Sequence, residues 1–321
     1  MIASVLPLIL GGISVLLIGM IGLSFYIALS LVHPKKRSIE ETKQLELERT
    51  PTIFRDFETW EKINQEVTSN KGYVLKGWCF PALGKKAFTN QFVVLIVHGF
   101  SYTHHGSVKY ASIFRNLGMD VIMYDQPNHG ESGGTMTSMG FQESIDLQQW
   151  ISLIQKKYPH DVRIGLCGES MGAASCLLAQ SRTDQIIFTV ADCSFSTLKQ
   201  LMIHQLKHRR SIPLFPFYFL SNFFFRMFSG AYYESISPKG AVRNAKAPIL
   251  FCHGLSDSYI PPHHSEELHH ACKSPSMLYL AGNESKHAQA FRNNQVEYTA
   301  FVHSFLKEVV GLKIEIGENH V

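Results

Sequence analysis

From Met1 to Val32 the chain is apolar or weakly polar at every position, with no Asp, Glu, Lys or Arg before Lys35. About 20 such residues cross a bilayer as a helix, so the run has length to spare. Gly11, Gly12, Gly19 and Gly22 are tolerated in a lipid-embedded helix. A secretory signal peptide opens with positive charge and carries a shorter apolar core. Neither feature is present, so residues 1–34 are expected to form an uncleaved anchor that meets the membrane through residues 1–32. Lys35-Lys36-Arg37 follows directly. Basic residues stay on the cytoplasmic side, which predicts a body inside the cell.

After residue 34 the pattern changes. Residues 35–62 read as a charged, helix-prone connector near the membrane. Residues 63–80 read as two strands around the turn-rich Thr68-Ser69-Asn70-Lys71-Gly72. Short continuous apolar runs then recur at Phe92–Val97, Val121–Tyr124, Arg163–Cys167, Ile186–Ala191, Ile249–Cys252 and Met277–Leu280. Continuous apolarity is what strands buried on both faces require. Helix-length stretches lie between and after them, near 107–117, 142–157, 171–181, 262–272 and 288–309. This alternation predicts an α/β fold with a mainly parallel sheet flanked by helices. The core is expected over 63–193 and 246–312, with a tail at 313–321.

Composition narrows the function classes. A net charge of +4 is too weak and dispersed to suggest nucleic acid as a partner. The six Cys show no CxxC and no zinc-ligand spacing, which argues against a disulfide framework or zinc site and suits a reducing compartment. His263, His264, His269 and His270 have no metal-binding spacing and are read as a solvated helix face. No metal or organic cofactor is implied.

In a parallel sheet, ligands bind beyond the carboxyl ends of the strands, and chemistry-bearing residues collect there. After Arg163–Cys167 comes Gly168-Glu169-Ser170-Met171-Gly172, a G-x-S-x-G pattern. A nucleophile on so sharp a strand-to-helix turn needs glycines around it to avoid clashes. The pattern alone is weak, but here a buried strand precedes it and the small residues Ala173-Ala174-Ser175 follow. A serine hydroxyl needs an imidazole to take its proton, and the imidazole needs a carboxylate to orient it. Asp257 follows the run ending at Cys252, and His287 follows the run ending at Leu280. Ser170, Asp257 and His287 therefore stand in the chain order of an α/β-hydrolase triad. The run Phe92–Val97 ends in His98-Gly99-Phe100, which is otherwise readable as a tight turn alone.

From about residue 60 to 308 the chain resembles the α/β-hydrolase fold serine hydrolases. It looks most like the esterase, monoacylglycerol-lipase and lysophospholipase branch, including its membrane-anchored bacterial members. Tyr124-Asp125-Gln126-Pro127-Asn128-His129-Gly130-Glu131-Ser132 is similar to that branch's segment after the fourth strand, where the position of Pro127 is commonly Arg. The resemblance implies oxyanion-hole donors at the backbone N–H groups of Phe100 and Met171, supported by His98, Gly99, Gly168 and Gly172. It also implies a helical cap inserted after the sixth strand. The gap at 194–245 is too long for a plain connection and fits that cap.

Other candidates compete. Asp192 is the rival to Asp257 as triad acid. Asp125 reads as a structural turn carboxylate, Glu169 as a local hydrogen-bonding group, and His129 and His253 as structural. His104 and His105 could face a substrate pocket. Cys193 has no elbow around it. Within the cap, Phe215–Phe228 holds seven Phe after the basic Lys207-His208-Arg209-Arg210. It reads either as a cap core or as an apolar acyl channel with a basic rim facing anionic lipid head groups. The expected function is cleavage of carboxylic esters with an apolar, lipid-like acyl part through an acyl-enzyme. A peptidase, thioesterase or acyltransferase on the same triad is the alternative. A silent membrane-tethered binding module is a further one, which an intact triad argues against.

Overall fold

The computed structural model describes residues 2–83 and 91–313. The chain opens with helices α1 (Ile2–Val32), α2 (Ile39–Arg49) and α3 (Pro51–Phe57), then strands β1 (Ile63–Thr68), β2 (Val74–Phe80) and β3 (Phe92–Val97). Next come α4 (Val108–Asn116), β4 (Asp120–Tyr124), α5 (Phe141–Lys157), β5 (Arg163–Glu169), α6 (Met171–Gln180) and β6 (Ile186–Asp192). Between β6 and β7 (Ile249–Gly254) lie α7 (Leu198–His204), α8 (Phe217–Ser229) and α9 (Pro238–Val242). The chain finishes with α10 (His263–Ala271), β8 (Ser276–Ala281), α11 (Ala290–Asn293) and α12 (Gln295–Ser304).

The eight strands form one sheet in the order β1-β2-β4-β3-β5-β6-β7-β8. Only the pairings of β1 with β2 and of β2 with β4 are antiparallel. From β4 to β8 every neighbour is parallel, as the continuous apolar runs predict. Every residue of β3 and β7 is buried, whereas the edge strand β1 is mostly exposed. This is an α/β-hydrolase fold.

Helices cover the sheet on two sides. Phe114 of α4 and Tyr298 of α12 pack with Val94, Ile96 and Phe188 in one core. Leu147, Trp150 and Ile151 of α5 and Cys176 of α6 pack with Val93, Leu95 and Leu166 in another. The alternation of core sets along β3 shows its side chains pointing to opposite faces. The expected helix near 288–309 is divided into α11, α12 and a wide π-helical turn at Phe305–Val309. The expected tail lies, past Lys313, outside the described residues.

Two features of the first 60 residues go beyond an anchor and a connector. First, α1 is held by the body. Ile27, Ala28 and Val32 are buried, and Phe25 meets Phe224 and Phe228 of α8 edge-on at 5.3 and 5.6 Å. The backbone N–H and hydroxyl of Thr137 donate to the carbonyls of Val32 and Leu31. Second, residues 35–62 are built into the body. Phe54, Phe57 and Trp60 join the core under β2. Lys36 donates to Asn128 at 2.7 Å, and the Arg37 N–H donates to the Ser101 carbonyl at 3.1 Å. Ser38 caps α2 in a reciprocal capping box with Glu41.

Trp150 is fully buried, with its ring 5.0 Å from that of Tyr124. Truncating so large a core side chain costs about 3–5 kcal/mol. Trp150→Ala should therefore lower unfolding free energy by about that much in a urea titration, and a loss within experimental error would show that this core does not carry α5.

Candidate active site

The chain turns sharply as β5 meets α6, and Ser170 sits at the turn with φ 56° and ψ −117°. This conformation strains any residue with a Cβ. Crowding enforces it. A Cβ on Gly172 would lie 2.2 Å from the Val97 carbonyl oxygen, and one on Gly168 would lie 2.5 Å from the Gly172 oxygen. The Ser170 N–H donates to the Asp192 carbonyl at 2.8 Å, tying the turn to the end of β6.

The structure brings Ser170, His287 and Asp257 together. The Ser170 hydroxyl donates to His287 Nε2 at 3.0 Å, and His287 Nδ1–H donates to Asp257 Oδ2 at 2.7 Å. An Nδ1 facing a carboxylate carries the proton, which leaves the Nε2 lone pair free to take one from Ser170. Oδ1 of Asp257 accepts the Tyr259 and Ile260 N–H groups at 2.8 and 2.9 Å. His253 Nε2 lies 3.2 Å from Oδ2. Burial pushes the Asp257 carboxyl up, but hydrogen bonds from His253 and His287 outweigh it and hold the group well below the ordinary carboxylate range. Asp257 is buried, whereas the His287 side chain is 26% exposed.

The loop after β3 passes directly over Ser170. A Cβ on Gly99 would fall 3.6 Å from that of Ser170. His98 braces this loop by donating from Nδ1 to the Gly99 carbonyl and accepting the Gln126 N–H on Nε2, at 2.8 and 2.9 Å. His129 Nε2 accepts the Ser101 N–H at 3.1 Å. Phe100 lies in this braced stretch. Met171 opens α6, so its N–H is among those a helix leaves without an internal acceptor.

Asp192, the rival acid, faces elsewhere. Its Oδ2 lies 2.9 Å from the Tyr110 hydroxyl. Burial and the nearby Glu169 charge push its carboxyl up to about 6. Glu169 accepts from Tyr110 at 2.8 Å and pairs with Lys109 at 2.5 Å. Asp125 accepts from the backbones of His104 and Glu131 and from the His104 ring, at 2.7, 2.9 and 3.0 Å, as a turn carboxylate does.

His104 packs on Trp78 and His105 on Phe54 and Phe57, so both point into the core rather than a substrate pocket. His264 departs from the expected solvated face: it is buried, and its Nδ1 meets the Ser196 hydroxyl at 2.8 Å. Cys193, Asp257 and His287 present ligand atoms within 4.8 Å of one another, the one such group among the described residues. Two of the three are already bonded to each other, and burial pushes the Cys193 thiol far up, away from the thiolate a metal needs.

Spacing gave no sign of a buried charge cluster behind the elbow. Lys109 is fully enclosed. Burial alone would lower its pKa, but Glu169 and Glu46 raise it above the ordinary lysine value and keep the ammonium charged. Burial pushes the Glu46 carboxyl up, partly offset by Lys109. Glu46 comes from α2, so the first 50 residues reach the back of the nucleophile turn. A small cleft of about 70 Å³ opens here, lined by Glu46, Arg49, Lys109 and His287 among others. Wider grooves, near α10 and between α4 and α12, lie away from Ser170.

Comparisons with known proteins bear on the fold and the family. Residues 89–215 match the Hydrolase_4 family model, described as serine aminopeptidase, S33. The uncharacterized protein YqkD of Bacillus subtilis is 31% identical over 300 residues, covering 93% of this chain and 96% of its own length. The uncharacterized protein YfhR of Escherichia coli is 25% identical over 253 residues, 74% of this chain and 81% of its own. Among solved structures, the Pyrococcus furiosus esterase Pf2001 aligns with a TM-score of 0.63 at 24% identity, covering 80% of this chain and 94% of that one. The Pyrococcus horikoshii acylaminoacyl peptidase aligns with a TM-score of 0.61 at 17% identity, covering 84% of this chain and 45% of that one. At these identities the structural likenesses speak for the fold.

Two outcomes follow from the charges. Lys109→Met leaves Glu46 and Glu169 buried without their cation, which should cost about 3–5 kcal/mol of stability. Adding Glu46→Gln should recover part of it in calorimetry; no recovery would mean that Glu46 and Lys109 do not interact. Asp257 has a folded pKa below its ordinary value of 3.8, so its stabilisation is present above that value and lost as pH falls through the folded one. Below about pH 5 the wild type should lose stability more steeply than Asp257→Asn; parallel slopes in acid denaturation would contradict the shift.

Proposed function

We propose that this chain, which belongs to the S33 serine aminopeptidase family of α/β-hydrolases, is a membrane-anchored serine hydrolase that cleaves carboxylic esters with an apolar acyl part. The observation that carries the reading is the relay Ser170–His287–Asp257 on a strained turn, with hydrogen bonds of 3.0 and 2.7 Å. His287 takes the Ser170 proton as Oγ attacks the ester carbonyl carbon. Asp257 holds the imidazole in its Nδ1–H form and stabilises the imidazolium. The N–H groups of Phe100 and Met171 receive the oxyanion, and such donors are worth about 3–4 kcal/mol of barrier each. Collapse of the tetrahedral species expels the alcohol, which takes the proton from His287. A water molecule then attacks the acyl-enzyme by the same route and releases the acid.

The preference for an apolar acyl group rests on what surrounds Ser170. Met171, Met139, Phe195 and Ile260 belong to one buried apolar cluster with the cap, and Phe100 packs against it. Segment 194–245 acts as the cap. Residues around 205–209 clasp the loop that carries Asp257: Gln205 donates to the Tyr259 carbonyl, and Arg209 stands over the Tyr259 ring at 5.3 Å. That ring in turn lies 5.0 Å from His287. In this reading α1 spans the membrane and Lys35-Lys36-Arg37 hold the body on the cytoplasmic side. The length and composition of α1 support it.

The family description favours a second reading, hydrolysis of an N-terminal peptide bond. That chemistry calls for a carboxylate to receive the substrate's ammonium. The glutamates that line the cleft beside His287, Glu46 and Glu169, share Lys109, which leaves the ester reading ahead.

Wild type should react with a fluorescent fluorophosphonate, and Ser170→Ala and His287→Ala should not. Loss of either residue should lower kcat on a medium-chain ester by roughly 10⁴-fold or more. Full activity in a folded Ser170→Ala would refute the triad. Faster turnover of aminoacyl anilides than of esters would establish the peptidase instead.

A further inference from the structure

The seven Phe of the cap neither form a closed core nor line an inward channel. Phe225 is buried against Tyr233, and Phe224 and Phe228 pack on α1. Phe215, Phe219, Phe223 and Met227 face outward, 78, 61, 53 and 66% exposed. Their spacing of four places them along one face of α8 and the turn before it. Four large apolar side chains in one exposed row are more than a soluble surface ordinarily carries.

This row adjoins a second apolar surface. Among the described side chains, α1 exposes large apolar residues from Leu8 to Tyr26, and only from Ser24 onward does it pack closely on the body. The part of α1 before Ser24 is about 33 Å long at 1.5 Å per residue. A bilayer's hydrocarbon core is ~30 Å thick. A span of that part therefore ends where α1 meets α8, the helix that carries the Phe row. Basic residues flank both segments along the chain. Lys35, Lys36 and Arg37 follow α1, Arg209 and Arg210 precede α8, and Arg226 projects from its last turn.

We propose that the outer face of α8 is a second membrane contact, inserted into the interfacial layer of an anionic phospholipid bilayer beside α1. Phe215, Phe219, Phe223 and Met227 sit among the acyl chains near the head groups, and the arginines meet the lipid phosphates. The occupant is the bilayer rather than a second copy of the chain, because the row continues into a helix that lipid covers along its length. The cluster that joins α8 and the end of α1 to Met171 packs this lipid-facing surface onto the apolar core beside Ser170. The inference rests on the reading of α1 as a membrane span.

The test uses full-length protein in vesicles of phosphatidylcholine and phosphatidylserine containing brominated lipid. Five of the six Cys are buried, and Cys272→Ser removes the sixth. In that background a single environment-sensitive label is placed through Leu16→Cys, Phe219→Cys, Phe223→Cys or, as an exposed control on α5, Lys156→Cys. Labels at 219 and 223 should be quenched at a shallower depth than at 16, with none at 156. Quenching at 16 but not at 219 or 223 overturns the second contact and leaves the anchor standing. No quenching at 16 overturns both. Lipid-independent shielding at 219, with cross-linking between chains, assigns the row to a second copy and also overturns it. The charged pair Phe219→Asp and Phe223→Asp should keep turnover of a short water-soluble ester and lose on the order of tenfold on a bilayer-resident one. Equal effects on the two substrates would contradict a membrane contact that serves the bilayer-resident one.

Discussion

Beyond the turn between β5 and α6, the first turn of α6 is pressed against the backbone at the end of β3. The carbonyl oxygens of Val97 and His98 occupy the space that a side chain on Gly172 would need, 2.2 and 2.5 Å from its Cβ. This close approach forces Ser170 into a positive φ and brings the loop after β3 over the hydroxyl. Three things then share one point: the Ser170 hydroxyl, the start of α6 and the Gly99-Phe100 backbone. His287 and Asp257 only have to arrive from β8 and β7. Parallel register delivers them, since Gly254 pairs with Ala281 and Cys252 with Asp192 at the same end of the sheet.

The strain has to be held by stronger surroundings. On one side the Ser170 N–H is fixed to the end of β6. On the other, Glu169 is locked by Tyr110 and Lys109. A buried ion cluster of this kind adds little net stability against an apolar replacement, but it is costly to leave half-made. Its value here is positional: Glu169 precedes Ser170, so any shift of the cluster moves the serine.

Much of this was legible in the chain. Strands buried on both faces announce themselves as apolar runs, and the residues just after them form a short list. Gly168, Ser170, Gly172, Asp257 and His287 were readable because each is tied to a strand end by local geometry. The second partner of Lys109 was not. Glu46 lies on a polar helix more than 60 positions earlier, and no period or spacing links it to the elbow. The same holds for His264, whose helix looks solvated in sequence although its neighbour Ser196 comes from the start of the cap region. For the Phe-rich stretch, sequence supplied the apolar content but not the direction it faces. That direction depends on α1 returning to cover Phe224 and Phe228.

The embrace between α1 and α8 also bears on how the protein can be handled. An apolar leader is commonly cut away to obtain a water-soluble fragment. Here the cut would strip Phe25, Ile27, Ala28 and Val32 from the cap and leave Thr137 without the carbonyls it binds. The fragment would carry a raw apolar scar beside the Phe row, wide enough to draw molecules into clumps. The leader is thus a structural member of the folded body, and solubility is gained more safely by enclosing it in lipid or detergent than by deleting it.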